Sequence, residues 1–188
     1  MAMLYFVVLG AVAGLCLGGR LSAIAQLRIR GAALLYGAVL VQVVAFPFGM
    51  LPWRTGDALA RGLWLASYGM LFAAAVKNFS TRGIPLVACG MASNVMAILA
   101  NGGHMPALPT ALADANRNYE VHANSIARAA PHLPWLVDRW AYPSWLPFGN
   151  IYSLGDVLIG VGGFVFVVAA MKPLARFRFA RVLPVVGR

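Results

Sequence analysis

Long apolar runs separated by short polar segments dominate the chain. The runs cover residues 2–18, 31–51, 58–76, 84–100 and 156–175. Each is close to the roughly 20 residues that a helix needs to cross the hydrocarbon core of a bilayer. The pattern therefore predicts an all-α fold, a polytopic membrane protein with five transmembrane helices in a single helical domain, residues 1–188.

The polar segments between these runs differ in length and character. Residues 21–30 combine apolar positions with Arg28 and Arg30, a pattern typical of a segment at the membrane surface. The segment 101–154 is a long loop between the fourth and fifth spans. Within it, residues 107–117 and 119–130 are predicted to form short interfacial helices. Residues 176–188 form a basic tail.

The composition agrees with a membrane protein. Hydrophobic residues make up 61% of the 188 residues and charged residues only 11%, whereas soluble domains have roughly a quarter charged residues. Cys16 and Cys89 both fall within apolar runs. Packing as small hydrophobic side chains therefore fits them better than a disulfide or a metal site.

The charges predict the orientation of the five spans. With alternating connections, one side carries ten basic residues and no acidic ones: Arg20, Arg28, Arg30, Lys77, Arg82, Lys172, Arg176, Arg178, Arg181 and Arg188. The other side carries five basic and five acidic residues, so the whole net charge of +10 belongs to one face. By the positive-inside rule that face is cytoplasmic. The N-terminus and the long loop are then outside a bacterial inner membrane, and the C-terminus is in the cytoplasm.

The same distribution disfavours several classes of protein. The basic face is explained by topology and anionic membrane lipid, so no nucleic-acid partner is expected. No Asp, Glu, Lys, Arg or His lies in the middle of a predicted span. Ion-coupled transporters and proton pumps usually have such groups there, and membrane haem proteins usually have histidines within spans. We therefore expect no cofactor.

Small and amide-bearing residues predict how the helices pack. Gly10, Gly14 and Gly18 recur every four residues on one face of the first span, and Gly160 and Gly163 lie in the last span. Such faces allow close approach of a neighbouring helix. Gln42 and Asn94 lie within spans, where an amide needs a hydrogen-bond partner, and they are expected to bond to each other across two helices.

Most residues whose side chains could take part in catalysis or ligand binding lie between Asn94 and Asp156. His104, His122, His132 and Met105 are all in the long loop, but their spacing matches no metal-ligand motif, so no metal site is predicted. His122 with Asp138 or Glu120 has the residue types of acid–base chemistry. Ser125 near His122 lacks the glycine-flanked turn of a nucleophilic serine. We therefore predict no catalytic residues.

The two ends of the long loop carry polar motifs at the outer ends of the spans. Gly102 and Gly103, after Asn101, are suited to end a helix in a left-handed conformation. Ser153 and Asp156 have the spacing of a helix capping box. We expect Asp156 to accept hydrogen bonds from the Ser153 region and from the turn 101–104, which would fasten both loop ends. Direct ligand binding is the alternative, because helix termini also bind anions.

The segments 101–106, 133–138 and 149–156 resemble the signature blocks of an uncharacterised family of small bacterial membrane proteins. That family is described only as a domain of unknown function, with an NGG-x-MP block and an N-x-x-S-x-GD block. The resemblance covers nearly the whole chain, with Leu136-Val137-Asp138 where the family has Leu-Gly-Asp. It implies a bacterial inner-membrane protein with several helices and implies no activity.

Two functions are compatible with the sequence. The first is a non-enzymatic accessory or scaffold subunit of a membrane complex, with a protein partner and membrane lipid as its contacts. The alternative is a carrier or enzyme that handles a lipid or small molecule at the outer membrane interface. Its site would be lined by the polar residues of the loop ends: Asn101, His104, Asp138, Asn150, Ser153 and Asp156.

Overall fold

The computed structural model describes residues 3–45, 56–115, 125–143, 145–146 and 151–171. These residues are mostly helical, as predicted. The helices are α1 (Met3–Cys16), α2 (Leu21–Ala25), α3 (Ala32–Ala45), α4 (Asp57–Lys77), α5 (Ile84–Ala100), α6 (Pro109–Asp114) and α7 (Leu154–Met171).

The five long helices coincide with the five predicted apolar runs, and the bounds predicted for the fourth are confirmed. Two of them, Ala58–Lys77 and Leu154–Met171, are long and apolar enough to cross a membrane. The apolar helices Leu4–Cys16, Ala32–Ala45 and Ile84–Ala100 are shorter. The end of the second run and the basic tail lie outside the described residues. The two longer helices indicate association with a membrane.

The long helices pack side by side in the order α1, α7, α5, α4, α3, so α5 lies in the middle of the row with α7 beside it. Their seam depends on glycine: a Cβ at Gly90 of α5 would collide with the carbonyl of Gly155 in α7. A Cβ at Gly83, which has φ +87°, would likewise collide with the carbonyl of Gly162. A side chain at Gly90 or Gly83 would therefore force α5 and α7 apart.

The glycines predicted to line helix contacts divide into two groups. Gly10 and Gly14 of α1 face Phe164 and Met171 of α7, and Gly160 of α7 faces the ring of Phe6. Gly18 instead has φ +79° just past the end of α1, with no atom within 4 Å of the Cβ that a substitution would add. Gly163 approaches only Val7, at 4.0 Å. The row of close contacts therefore leaves out Gly18, and Gly19 approaches Met171 in its place.

Large apolar side chains face outward on the helices. Leu40 of α3 is 66% exposed and Leu99 of α5 is 64% exposed, and Leu9 and Leu59 are comparably open on α1 and α4. Soluble monomers rarely expose contiguous apolar surface on this scale. The exposed apolar surface therefore agrees with the association with a membrane that the lengths of α4 and α7 indicate.

The segment after α5 folds back over the C-terminal end of α5 and the N-terminal end of α7, and we call its described residues, 101–115 and 125–143, the cap. Within it, β1 (Met105–Ala107) pairs in parallel with β2 (Ser125–Ala127). Then β3 (Trp140–Ala141) pairs antiparallel with β4 (Ile151–Tyr152), which leads into α7. Val137 and Met105 join the cap to α5 by packing with Ala97 and Ile98.

The short helices predicted in this segment are only partly present. The helix expected over 107–117 is reduced to α6. The helix expected over 119–130 is wrong at its described end, where β2 lies. The carbonyl of Pro106 accepts a hydrogen bond from the Asp138 amide (3.0 Å), and that of Ala107 accepts one from the Arg128 amide (3.0 Å). Pairing with distant backbone groups therefore overrides the local helical pattern.

Candidate functional site

Three side chains form a largely buried hydrogen-bonded group between the C-terminal half of α5 and the N-terminal end of α7, which we call the polar junction: Asn94, Ser153 and Asp156. Asn94 Nδ2 donates to Asp156 Oδ1 at 2.9 Å. Ser153 Oγ donates to Asn94 Oδ1 at 2.9 Å. Ser153 and Asn94 are buried. The junction therefore cross-links α5 and α7 near the ends of these helices from which the cap extends.

The same aspartate caps the first turn of α7. The amide of Ser153 donates to Asp156 Oδ2 at 3.1 Å, and the amide of Asp156 donates to Ser153 Oγ at 3.1 Å. These reciprocal bonds satisfy backbone donors that a helix N-terminus otherwise leaves unpaired. The capping box predicted from the sequence is thereby confirmed. Both carboxylate oxygens of Asp156 are occupied, one by the helix N-terminus and one by Asn94.

Asn101 fastens the cap from the other side. Its Nδ2 donates to the carbonyls of Ala97 (2.8 Å) and His132 (2.9 Å). Its Oδ1 accepts from the His132 amide (2.9 Å) and from Arg128 Nη1 (3.1 Å). An amide side chain offers two donors and two acceptor positions, so Asn101 has no unused capacity. It is 2% exposed, and it holds the segment 128–132 onto the end of α5.

Two predicted pairings are corrected by this arrangement. The bond predicted from the turn 101–104 to Asp156 is replaced by one from Asn94, within α5. The predicted pairing of Gln42 with Asn94 is also wrong. Gln42 Nε2 instead donates to Ser67 Oγ on the neighbouring α4 (3.1 Å). The order of the helices explains this, because α3 packs mainly on α4, whereas Asn94 lies on α5.

The turn that follows Asn101 is shaped by its glycines. Gly102 and Gly103 have φ of +73° and +86°, and the amide of Gly103 donates to the carbonyl of Ile98 at 2.9 Å. These left-handed residues end α5, as expected. His104 follows, and its Nε2 accepts from Arg61 Nη1 of α4 at 3.3 Å, because a guanidinium only donates. His104 therefore ties the turn to α4.

Asp138 is the buried acid of the cap. It is 8% exposed, and its backbone amide and carbonyl bond to Pro106 and Leu108. Burial, with a further contribution from the negative charge of Asp156, raises the pKa of Asp138 to about 8. The carboxyl group is therefore mostly protonated at pH 7. Raised carboxyl pKa values of this kind occur at functional sites as well as in structural positions.

This protonation makes the stability of the cap depend on pH. The folded state holds a proton on Asp138 up to about pH 8, whereas the unfolded chain releases it near its ordinary pKa of about 3.9. Stability is therefore greatest at low pH and is lost as the pH rises through this window. We expect the free energy of unfolding to fall by about 1.4 kcal/mol per pH unit between pH 5 and 7.

Thermal unfolding in detergent as a function of pH checks this expectation. Asp138→Asn has a side chain of the same shape that cannot ionise. Its unfolding temperature is therefore expected not to fall in this way as the pH rises from 5 to 7. Asp114→Asn, at an exposed position of α6, is the matched control and should show the same fall as wild type. An identical slope in wild type and Asp138→Asn would show that another group is responsible.

The other residues proposed from the sequence are not part of the polar junction. Asn150, His122 and Glu120 lie outside the described residues. Ser125 lies in β2, and the side chain of His132 is exposed while its backbone binds Asn101. No motif in the sequence marks Arg128. Its role is visible only after folding, because it reaches Asn101 across 27 positions of the chain.

Comparison with known proteins places this arrangement in context. The model of a family of unknown function, DUF5317, matches residues 26–168. An uncharacterized protein of Thermotoga maritima is 27% identical over 150 residues, which cover 78% of this chain and 82% of the relative. No solved structure matches. The resemblance inferred from the motifs, to a family without an assigned function, is confirmed.

Proposed function

Because this chain belongs to DUF5317, a family of unknown function, its role rests on its own residues, and we propose that it is a non-enzymatic accessory or scaffold subunit of a bacterial inner-membrane complex. The supporting observation is the use of the polar motif residues. Asn101, Ser153 and Asp156 direct their hydrogen bonds to neighbouring helices and to cap backbone. Such residues fasten a surface; they are not left free to bind a substrate.

The proposed role goes with an arrangement of the chain in the membrane. The five long helices cross the bilayer, with the cap outside and the basic ends in the cytoplasm. The asymmetry of ten basic residues against none supports this orientation. The exposed apolar side chains on α1, α3, α4 and α5 support contact with lipid along each of them. The shorter described helices fit if the membrane is locally thinner around them.

The cap and the residues that follow it present an aromatic surface that fits a protein partner. Trp135 is 70% exposed and Trp145 is 77% exposed. The guanidinium of Arg139 lies 4.9 Å from the ring centroid of Trp135 and 5.2 Å from that of Trp140. Tryptophan and arginine are enriched among the residues that dominate protein interfaces. We assign this surface, Trp135, Arg139, Trp140 and Trp145, to the docking of a neighbouring subunit's outer segment.

Purification in mild detergent tests the docking role. We expect the wild-type chain to retain a partner chain in fixed stoichiometry, and Trp135→Ala with Trp145→Ala to lose it. Truncating an interface tryptophan commonly costs at least about 2 kcal/mol, a loss of roughly thirtyfold in affinity. Leu99→Ala, an equally exposed position on α5, is the control and should retain the partner.

Two outcomes would contradict the docking role. A monodisperse monomer at every detergent concentration would show that the chain has no stably bound partner. Retention of the partner by the double tryptophan variant would show that the interface lies elsewhere. The tryptophans would then be anchors in the lipid headgroup region.

The raised pKa of Asp138 favours a second candidate, a carrier or enzyme with its site at the outer interface. A buried acid that is protonated at pH 7 and lies near the charge of Asp156 can donate a proton or a hydrogen bond to a ligand. Native mass spectrometry of the purified protein distinguishes the two. A lipid, metal or small molecule that is retained by wild type and lost in a folded Asp138→Asn variant would favour this candidate over the scaffold.

A further inference from the structure

An apolar cavity of about 400 Å³ opens between α3, α4, α5 and α7, at the helix ends opposite the cap. Leu71 and Ala75 of α4, Met91 of α5 and Ile159 of α7 form much of its wall. The volume lies in the range of small-molecule sites in proteins. None of the residues that fasten the cap lines it, and its deep end reaches Tyr68, beside Asn94 of the polar junction.

The mouth of the cavity is polar and basic, and its rim is fixed by hydrogen bonds. Asn78 Oδ1 accepts from the Arg30 amide at 3.0 Å, and Asn78 Nδ2 donates to the carbonyls of Arg30 (2.8 Å) and Ala74 (2.8 Å). This clamp holds the segment after α2 across the end of α4. Arg28 lies on the same segment, lines the mouth and is exposed.

The charge around the mouth has one sign. Arg30 and Lys77 are exposed near Arg28, and the sequence has no acidic residue in 20–30 or 77–82. An anionic group at the mouth would therefore meet only attractive charges. Arginine also donates in a fork that matches the oxygens of a phosphate.

The interior of the cavity is apolar, in contrast to its basic mouth. Tyr68 lines the cavity and precedes Asn78 by ten residues along α4, which places it about 15 Å from the mouth at 1.5 Å per residue. Its hydroxyl is buried and lies close to Asn94 and Asp156. The remaining wall is almost entirely apolar. This depth and lining suit an extended hydrocarbon chain and not a compact polar solute.

We propose that the cavity binds one acyl chain of an anionic phospholipid, with the headgroup phosphate against Arg28. The apolar wall binds the chain, and the basic mouth selects lipids with net negative charge over zwitterionic ones. This inference does not depend on the docking role of the cap. It also differs from the second candidate above, because the site lies at the basic ends of the helices and not at the outer interface.

Native mass spectrometry of the full chain in detergent tests the headgroup preference. The probes are phosphatidylglycerol and phosphatidylcholine with identical acyl chains. Wild type is expected to retain one phosphatidylglycerol in preference to phosphatidylcholine. Arg28→Ala should reduce that preference about fivefold, the usual contribution of one basic residue near an anionic surface. Arg20→Ala, exposed on the same face but outside the cavity lining, should leave it unchanged.

A second pair of variants tests the chain site. Leu71→Trp fills the cavity and should abolish retention of both lipids, whereas Leu59→Trp, on the exposed side of α4, should not. If Leu71→Trp does not fold, the comparison of Arg28→Ala with Arg20→Ala decides. Equal retention of the two lipids by wild type, or equal losses in Leu71→Trp and Leu59→Trp, would overturn the proposal and show ordinary surrounding lipid only.

Discussion

Gly155→Val is expected to destabilise the protein severely. A Cβ at this position would collide with the side-chain amide of Asn94 and lie 2.7 Å from the carbonyl of Gly90. The substitution therefore forces α5 and α7 apart and also breaks the polar junction. Overpacking costs about 1–3 kcal/mol, and a lost buried hydrogen bond about 1–3 kcal/mol more. We expect a total loss of about 3 kcal/mol or more in the free energy of unfolding.

Heating in detergent followed by size-exclusion chromatography measures this effect. For a chain of this length, a loss of about 3 kcal/mol corresponds to a fall of roughly 6–12 °C in unfolding temperature. Gly69→Ala is the control, because no atom lies within 4 Å of the added Cβ in α4. It should be neutral or stabilising by about 0.5–1 kcal/mol. A Gly155→Val protein as stable as this control would refute the close packing of α5 on α7.

Asp156→Ala is expected to loosen the start of α7 and, through β4 and its partner strand β3, the cap, while the close glycine contacts keep α5 and α7 associated. The change removes the acceptor for Asn94 Nδ2 and for the Ser153 amide, and it leaves both donors unpaired. Such a loss costs about 1–3 kcal/mol, which raises the population of opened cap roughly 5- to 150-fold. Limited trypsin digestion measures this population through cleavage after Arg128 and Arg139, which are ordered in the closed cap.

Two comparisons make the digestion informative. Asp114→Ala removes an exposed acid from the same cap and should digest like wild type. Asn101→Ala removes the fastening of the segment 128–132 from the other side and should digest at least as fast as Asp156→Ala. If Asp156→Ala digests at the wild-type rate but loses a bound ligand, the carboxylate is functional and the fastening role is wrong.

The sequence is most informative where a single physical constraint acts over many residues. The helix predicted over 84–100 has its observed bounds, because the polar turn before Ile84 and the glycines after Asn101 mark both ends of an apolar run. The capping box at Ser153 is also predictable, because the pairing is local and needs only a three-residue spacing.

The incorrect predictions concern interactions between distant segments. Residues 125–127 have a locally helical pattern, but β1 offers backbone partners that only the folded chain brings close. The partner of Asn94 is not predictable because the lateral order of the helices cannot be obtained from apolar runs alone. The raised pKa of Asp138 likewise follows from burial within the cap, which the position of an acid in a polar loop does not indicate.

The position of the cap relative to the membrane is the most direct test of the proposed topology. Single cysteines at Thr110 in the cap and at Ser80 in the basic turn, both exposed, are introduced after Cys16 and Cys89 are replaced by alanine. A membrane-impermeant maleimide added to intact cells is expected to label Thr110→Cys and to label Ser80→Cys only after the membrane is opened. Labelling of Ser80→Cys in intact cells with protection of Thr110→Cys would contradict the orientation and every role assigned to the outer cap.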